Sequence, residues 1–367
     1  MDACSESRQR KDGAFHFPVF HRKHPCVDED PSTIHAASVS DAGTVIGNDK
    51  IHQGKYFMAI RLGTPAVFNL VTIDTGSTLS WVNCKRCRIR CHEQAARSWP
   101  QAGPSPLRHA DNGVPYGCVD ETDTCLYGLR YGSQYSAGKL GRDRLALGDN
   151  YTIVDDFVFG CSEDDMFYGL EAGVIGLGDK RYSFFNQMAR LTTYNAFAYC
   201  FPGDHRAEGG YGRRQHVYSV LLLGIAVDGK PLEVDGRQIL VVDSGTDDTF
   251  VSSSVFYALA EAIASAMQDK AYYREYGRKV CFRPAGGEPV NWRSLPTVQM
   301  QLLRATLELP PENVFHQQST DRICLAFQSN DAAGVPDVQI LGNKALRPFR
   351  VVYDLQKMTF GFQARAC

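Results

Sequence analysis

Two short stretches of this chain could do chemistry together. "LVTIDTGS" at 70–77 and "ILVVDSGT" at 239–246 each run an apolar, β-branched segment into an aspartate. A small hydroxyl residue, a glycine and a second hydroxyl residue follow each time. One carboxylate is a poor peptide hydrolase, but two that share a proton are a good one. The ionised member takes a proton from water as general base while the protonated member polarises the scissile carbonyl. Like charges about 3 Å apart cannot both ionise, so one pKa falls and the other rises. The flanking residues suit that task. Thr75 and Ser244 can tie two loops together by hydrogen bonds, and Gly76 and Gly245 let backbone N–H groups approach the carboxylates. Ser77 and Thr246 can donate to the outer oxygens, which favours ionisation and orients the pair. Asp74 and Asp243 are thus the candidate catalytic residues; the plain alternative is two unrelated Asp-Gly turns.

The elements that must position them also repeat. About a hundred residues beyond each aspartate comes a second echo, "VIGLG" at 174–178 and "QILGN" at 339–343. That span is too long for a solenoid repeat and fits a two-lobed protein built by duplication. At 367 residues the chain suits roughly two domains of about 150. From "GKYFMAIRLGTP" onward, short β-rich runs alternate with glycine and turn residues, which predicts a mostly-β architecture. One long helix is expected at 254–268, "SVFYALAEAIASAMQ". Residues 1–50 are polar and weakly periodic and read as an N-terminal extension or pro-segment. The first lobe is then expected over 51–205 and the second over 206–367.

Composition narrows the function. The formal net charge of −2 provides no strong field for nucleic acid or an anionic membrane. No window of about 20 apolar residues exists to span a bilayer. The ten histidines include no His-Glu-x-x-His, and serine and cysteine nucleophile signatures are absent. No metal and no cofactor are expected. Twelve cysteines, an even number, indicate up to six disulfides and an oxidising compartment. The first residues, "MDACSESRQRKDGAFHF", lack the apolar stretch of a secretory signal, which conflicts with the cysteines. The cysteines carry more weight. In "CKRCRIRCH" at 84–92, zinc ligation competes with disulfides, although no matching Cys-x-x-Cys follows. The cysteines at 84, 87, 91, 118, 125 and 161 allow fifteen pairings. Asn150 begins a glycosylation sequon, Asn-Tyr-Thr, which matters only in a secreted chain.

From about Gly54 to Cys367 the sequence resembles the pepsin-type aspartic proteases, specifically the plant nepenthesin-like branch. The resemblance rests on "YFMAIRLGTP", "DTGSTLSWVNC", "CLYGLRYG", "FVFGC", "AGVIGLG", "VYSVLLLGIAVDG", "VVDSGT", "CLAF", "ILGN" and "FRVVYDLQKMTFGFQARAC". It implies a bilobal, mostly-β, pepsin-like acid protease fold with a peptide cleft between lobes and one catalytic aspartate from each. Tyr131 would be the tyrosine of the flap, a hairpin that closes over substrate, and Trp81 the tryptophan that braces it. The resemblance also implies a disulfide-bonded insert after the first aspartate, with pairings Cys200–Cys367 and Cys281–Cys324. The implied activity is acid-optimum hydrolysis of protein or peptide substrates by a cofactor-free monomer, in the apoplast or vacuole. A catalytically silent binding protein on the same fold, like the plant xylanase inhibitors, is the alternative.

Three departures from the family pattern bear on function. After Tyr131 and Gly132 the chain continues Ser133, Gln134, Tyr135, so the flap is one residue short and lacks its second glycine. Asp247 and Asp248 stand directly after the second motif; if they faced the cleft they would disfavour ionisation of Asp243. The stretch from Cys200 to Val217 is short, which points to a missing strand or loop in the second lobe.

Overall fold

A computed structural model describes residues 20–21, 56–84, 89–92, 105–106, 118–119, 124–147, 152–167, 171–190, 196–200, 212–214, 217–234, 237–268, 270–275, 279–331, 338–347, 349–355 and 359–364. The chain divides into two compact units, Met1–Tyr194 and Asn195–Cys367. Sequence placed residues 196–205 with the first lobe. The strand Ala196–Cys200 instead pairs with Phe349–Asp354 in the second unit, so the division falls earlier. Of the expected extension at 1–50 only Phe20 and His21 are described; they pair antiparallel with Phe57 and Tyr56.

In the first unit the strands that matter are β1 (Tyr56–Leu62), β2 (Val67–Asp74), β3 (Trp81–Asn83), β4 (Thr124–Tyr131), β5 (Gln134–Leu147), β6 (Thr152–Asp165) and β7 (Gly173–Gly176). β2 runs parallel to β7, β7 antiparallel to β3, and β3 parallel to β6. Asp74 lies opposite Gly176 and Trp81 opposite Gly160. Leu70, Val71 and Ile73 on β2 are all buried, which explains its near-continuous apolar and β-branched sequence.

The second unit repeats this pattern with β8 (Val217–Val227), β9 (Gln238–Asp243), β10 (Thr249–Val251), β11 (Phe327–Ser329) and β12 (Gln339–Gly342). β9 runs parallel to β12, β12 antiparallel to β10, and β10 parallel to β11. Asp243 lies opposite Gly342. Strand order and direction therefore match in both units, which is the structural counterpart of the doubled motif. The glycine echoes have a steric cause. A Cβ at Gly176 would lie 2.6 Å from the Leu79 carbonyl oxygen, and one at Gly342 would lie 2.3 Å from that of Asp248. Each glycine lets its strand pass directly beneath the loop that follows an aspartate.

The expected helix is α1 (Ser253–Gln268), which buries Val255, Leu259, Ala260, Ile263 and Met267 along one stripe. In the shortened stretch before Val217, Gly212–Arg214 forms a small strand paired with Val217–Ser219.

Candidate active site

Asp74 ends β2, where the chain leaves the sheet and the next amides turn back on the carboxylate. The Gly76 N–H donates to Oδ1 across 2.8 Å, and the Ser77 hydroxyl donates to Oδ2. Asp243 ends β9 with the same set of donors. The Gly245 N–H donates to Oδ1 across 2.8 Å and the Thr246 hydroxyl to Oδ2 across 2.6 Å. Each carboxylate is thus held by one amide and one hydroxyl in a fixed orientation. Charge-assisted bonds of this kind favour the ionised form. Thr75 and Ser244, the residues between, are fully buried.

The two loops are anchored alike. Leu177 N–H donates to the Asp74 carbonyl and Gly178 N–H to that of Ser77, at 2.8 and 2.7 Å. On the second side Asn343 N–H donates to the Thr246 carbonyl across 2.7 Å, and the Asn343 carboxamide donates to that of Ser244 across 3.1 Å. Asn343 opens a short helix, α2 (Asn343–Leu346). Sequence caught the "ILGN" echo but gave no role to its asparagine.

Asp247 and Asp248 are both neutralised by cations. Arg347 donates to Asp247 across 2.8 Å, and Lys279 and His316 reach Asp248 at 2.7 and 2.5 Å. Gln328 also donates to Asp248. Burial pushes the Asp248 carboxyl up, but His316 and then Lys279 more than offset this and hold it below the ordinary range. Burial raises Asp247, against the opposing charges of Arg347 and His316. The ligand atoms of Asp247, Asp248 and His316 lie within 4.8 Å of one another, as a metal site would require. Because Lys279 and Arg347 already supply positive charge there, the group works as an ion-pair network that braces the loop after Asp243.

Tyr131 closes β4 at the tip of the β4–β5 hairpin, paired with Gln134. Only Gly132 and Ser133 separate them, and Gly132 takes φ +60° while Ser133 does not enter the left-handed region. That is a two-residue turn with glycine at its first central position, whose twist matches the flanking strands. The missing residue therefore shortens the hairpin without breaking it. Trp81, fully buried, donates its indole N–H to the Tyr131 oxygen across 2.8 Å. Burial first, then the Asp74 charge, pushes the Tyr131 phenol well above its ordinary value, with Ser77 and Trp81 pulling the other way. Tyr131 stays neutral and can both accept from Trp81 and donate. Phe167 packs edge-on to both rings, with centroids 4.9 Å from Trp81 and 5.2 Å from Tyr131. Sequence did not single out Phe167.

Cys281 and Cys324 face each other on adjacent strands and form a disulfide. Cys84 and Cys161 form another, which joins the end of β3 to β6 and cuts the fifteen possible pairings to three. Cys91 and Cys125 are also disulfide-bonded. Cys367, the Cys200 side chain and Asn150 lie outside the described residues, as do Cys4, Cys26 and Cys87.

A mostly-β chain whose two units each present an aspartate in the same loop has the fold of the pepsin-like proteins. Residues 56–211 match the family described as xylanase inhibitor N-terminal, and residues 217–364 match xylanase inhibitor C-terminal. The chain belongs to this plant branch of the pepsin-like aspartic protease family. It is 27% identical over 347 residues to the aspartyl protease AED1 of Arabidopsis thaliana, covering 86% of this chain and 72% of that protein. Against aspartic proteinase nepenthesin-2 of Nepenthes gracilis it is 25% identical over 363 residues, covering 86% and 78%. Basic 7S globulin from soybean shares the fold, with a TM-score of 0.66 at 19% identity over 84% of this chain and 91% of that one. Conglutin gamma, a basic 7S globulin from lupine seeds, does so with a TM-score of 0.67, also at 19% identity and with the same coverage. No described helix is long and apolar enough to cross a membrane.

Proposed function

We propose that this protein is an aspartic endopeptidase in which Asp74 and Asp243 share one proton and activate a water molecule against a bound peptide bond. The observation that carries this reading is the matched environment of the two carboxylates, each held by a glycine amide on Oδ1 and a hydroxyl on Oδ2. Such symmetry lets the proton reside on either member, so acid and base roles can exchange during turnover. Thr75 and Ser244, each buried beside its aspartate, hold the loop they stand in. Tyr131, steadied by Trp81, closes over the substrate and excludes water. No covalent intermediate or cofactor takes part. The substrates are proteins or peptides, the working unit is a monomer, and the optimum is acidic because the pair must keep one proton. The disulfides fit an oxidising compartment, which favours the apoplast or vacuole.

A second reading, a catalytically silent binding protein, draws on the inhibitor descriptions of both matched domains and on the globulin neighbours. The intact donors around both aspartates favour the enzyme. The deciding experiment is digestion of a denatured protein substrate from pH 2 to 7, with and without a statine-type transition-state analogue. Acid-confined cleavage blocked by the analogue supports the protease. No cleavage at any pH, from folded and disulfide-bonded protein, supports the binding protein.

A further inference from the structure

His92 follows the disulfide-bonded Cys91 and is buried against the end of β6. Its segment is fastened there by backbone bonds. Ile89 N–H donates to the Glu163 carbonyl across 3.1 Å, and Asp165 N–H donates to that of Arg90 across 2.7 Å. The ring is held at both nitrogens. Nδ1 lies 2.5 Å from Asp165 Oδ1, and Nε2 lies 2.8 Å from the Glu171 backbone oxygen. A backbone carbonyl can only accept. Asp165 Oδ1 also accepts the backbone N–H groups of His92 and Phe167, both at 3.3 Å, so it acts as an acceptor as well. A ring with an acceptor at each nitrogen needs a proton on both, and that species is the imidazolium.

The Asn83 carboxamide also reaches the ring. Its nitrogen is drawn 3.2 Å from His92 Nδ1, while its buried oxygen finds no partner among the described residues. With the amide's two ends exchanged, which are alike in shape, that oxygen would accept a share of the Nδ1 proton. The charged groups around the ring are Asp165, from β6, and Glu171, from the segment before β7; Asn83 of β3 and Phe167 are neutral. Burial acts to lower the imidazole pKa, but the bond and charge of Asp165, with help from Glu171, outweigh it and raise the net value.

This ion pair lies under the flap machinery. Asp165 is the register partner of Ser136, two pairs below the tip of the hairpin that carries Tyr131. Phe167, bound through its N–H to the same Asp165 oxygen, has its ring 5.8 Å from His92 and 5.2 Å from Tyr131. We propose that His92 is a positioning residue. Its imidazolium latches the segment after Cys91 to Asp165 and so holds Phe167, Trp81 and Tyr131 in place, and loss of the proton releases the latch. The neutral ring would leave one lone pair facing an acceptor, either Asp165 or the Glu171 carbonyl. Because the folded value is raised, the latch stabilises fully below the ordinary imidazole range and its contribution fades as pH climbs through the raised value. The flap is then firm in acid and loosens as the pH rises through that raised value. The consequence for hydrolysis rests on the protease reading above; the latch itself does not.

The test reads structure first. In full-length protein carrying 15N-histidine, the ring with contacts to Phe167 should show both nitrogens protonated at pH 6 and titrate above pH 6.5. A neutral tautomer at pH 6, or titration below 6.5, would overturn the proposal without any variant having to fold. Hydrogen exchange in the 124–147 hairpin, corrected for intrinsic rates, should accelerate between pH 6 and 8.5 in the parent and lose that pH dependence in His92→Gln. An unchanged dependence in the variant would overturn the coupling to the flap. If the protein cleaves, His92→Gln should lower kcat/KM about tenfold at the acid optimum with the optimum unmoved. Absence of cleavage in the parent would count against the protease reading alone, since the two structural arms do not depend on it.

Discussion

Trp81 and Tyr131 meet through a single 2.8 Å hydrogen bond from indole nitrogen to phenol oxygen, across a sequence separation of 50. Tyr131 sits at the tip of a hairpin and Trp81 in the core beside β7, so the bond ties the hairpin tip to the sheet. Trp81→Phe keeps an aromatic ring against Phe167 but removes the donor and part of a fully buried side chain. A net loss of about 1 kcal/mol is expected from one such bond. The lost bond should lower kcat/KM about fivefold, and the vacated ring volume should lower the melting temperature as well. A variant with full activity would separate Trp81 from flap function.

The matched donors give a paired prediction. Ser77→Ala and Thr246→Val each remove a hydroxyl that favours the ionised carboxylate beside it. Loss of that donor frees the carboxylate to turn and weakens its hold on the attacking water, so hydrolysis should slow in both variants. A hydrogen bond to a charged group contributes about 1.5–3 kcal/mol, which sets an expected fall of about tenfold or more in kcat/KM. Full activity in both variants would mean that neither hydroxyl supports the pair.

Replacing either aspartate tests the dyad itself. Asp74→Asn and Asp243→Asn leave the loop donors in place and remove a titrating proton site, so each should cut hydrolysis by at least about a hundredfold. Circular dichroism should be unchanged. Retained activity in either variant would end the dyad mechanism.

What sequence could show follows from where the information lies. The aspartates, their glycines and hydroxyls are contiguous, and duplication wrote them twice, so a local pattern exposed them. Gly176 and Gly342 were legible for the same reason. His92 and Asp165 are separated by 73 positions, and Asp248 and His316 by 68. Nothing local marks those histidines as paired; only the pleating of the sheets brings their partners to them. The placement of Ala196–Cys200 in the second unit depends likewise on a strand pairing with Phe349–Asp354, which no local signal announces. The flap turn stands between these cases. Its missing residue was visible, and the glycine in the first turn position is what a tight two-residue hairpin requires.

The glycine echo predicts a steep steric penalty. Gly342→Ala places a methyl group 2.3 Å from the Asp248 carbonyl oxygen and 2.6 Å from that of Asp247, both backbone atoms that cannot rotate away. The strand and the loop after Asp243 must separate, at a cost of about 1–3 kcal/mol or more. Thermal unfolding should show a clear drop, together with lost activity. Gly361→Ala is the control, since its nearest neighbour is a side-chain atom 3.8 Å away. Equal effects at the two positions would remove close approach as the explanation.

The Asp248 network governs behaviour in acid, where this protein is expected to work. Asp248 and His316 are both nearly inaccessible, with side-chain exposures of 6% and 7%. The Asp248 folded pKa lies below its unfolded value, so the stability it contributes is present above the unfolded pKa and lost only as pH falls through the folded one. The pair therefore stays intact at pH values where ordinary carboxylates, near 3.9, are already half protonated. Asp248→Ala strands His316 and the Lys279 ammonium, and removing one partner of a buried pair costs about 3–5 kcal/mol. The partial exposure of Lys279 moves the expectation to the lower end of that range. Denaturant unfolding at pH 5 and at pH 2 measures it. The gap between parent and variant should be wide at pH 5 and narrower at pH 2, where the unfolded parent's Asp248 takes up a proton that the folded one resists. A gap of the same size at both values would mean that packing, rather than the charge on Asp248, holds the loop behind Asp243.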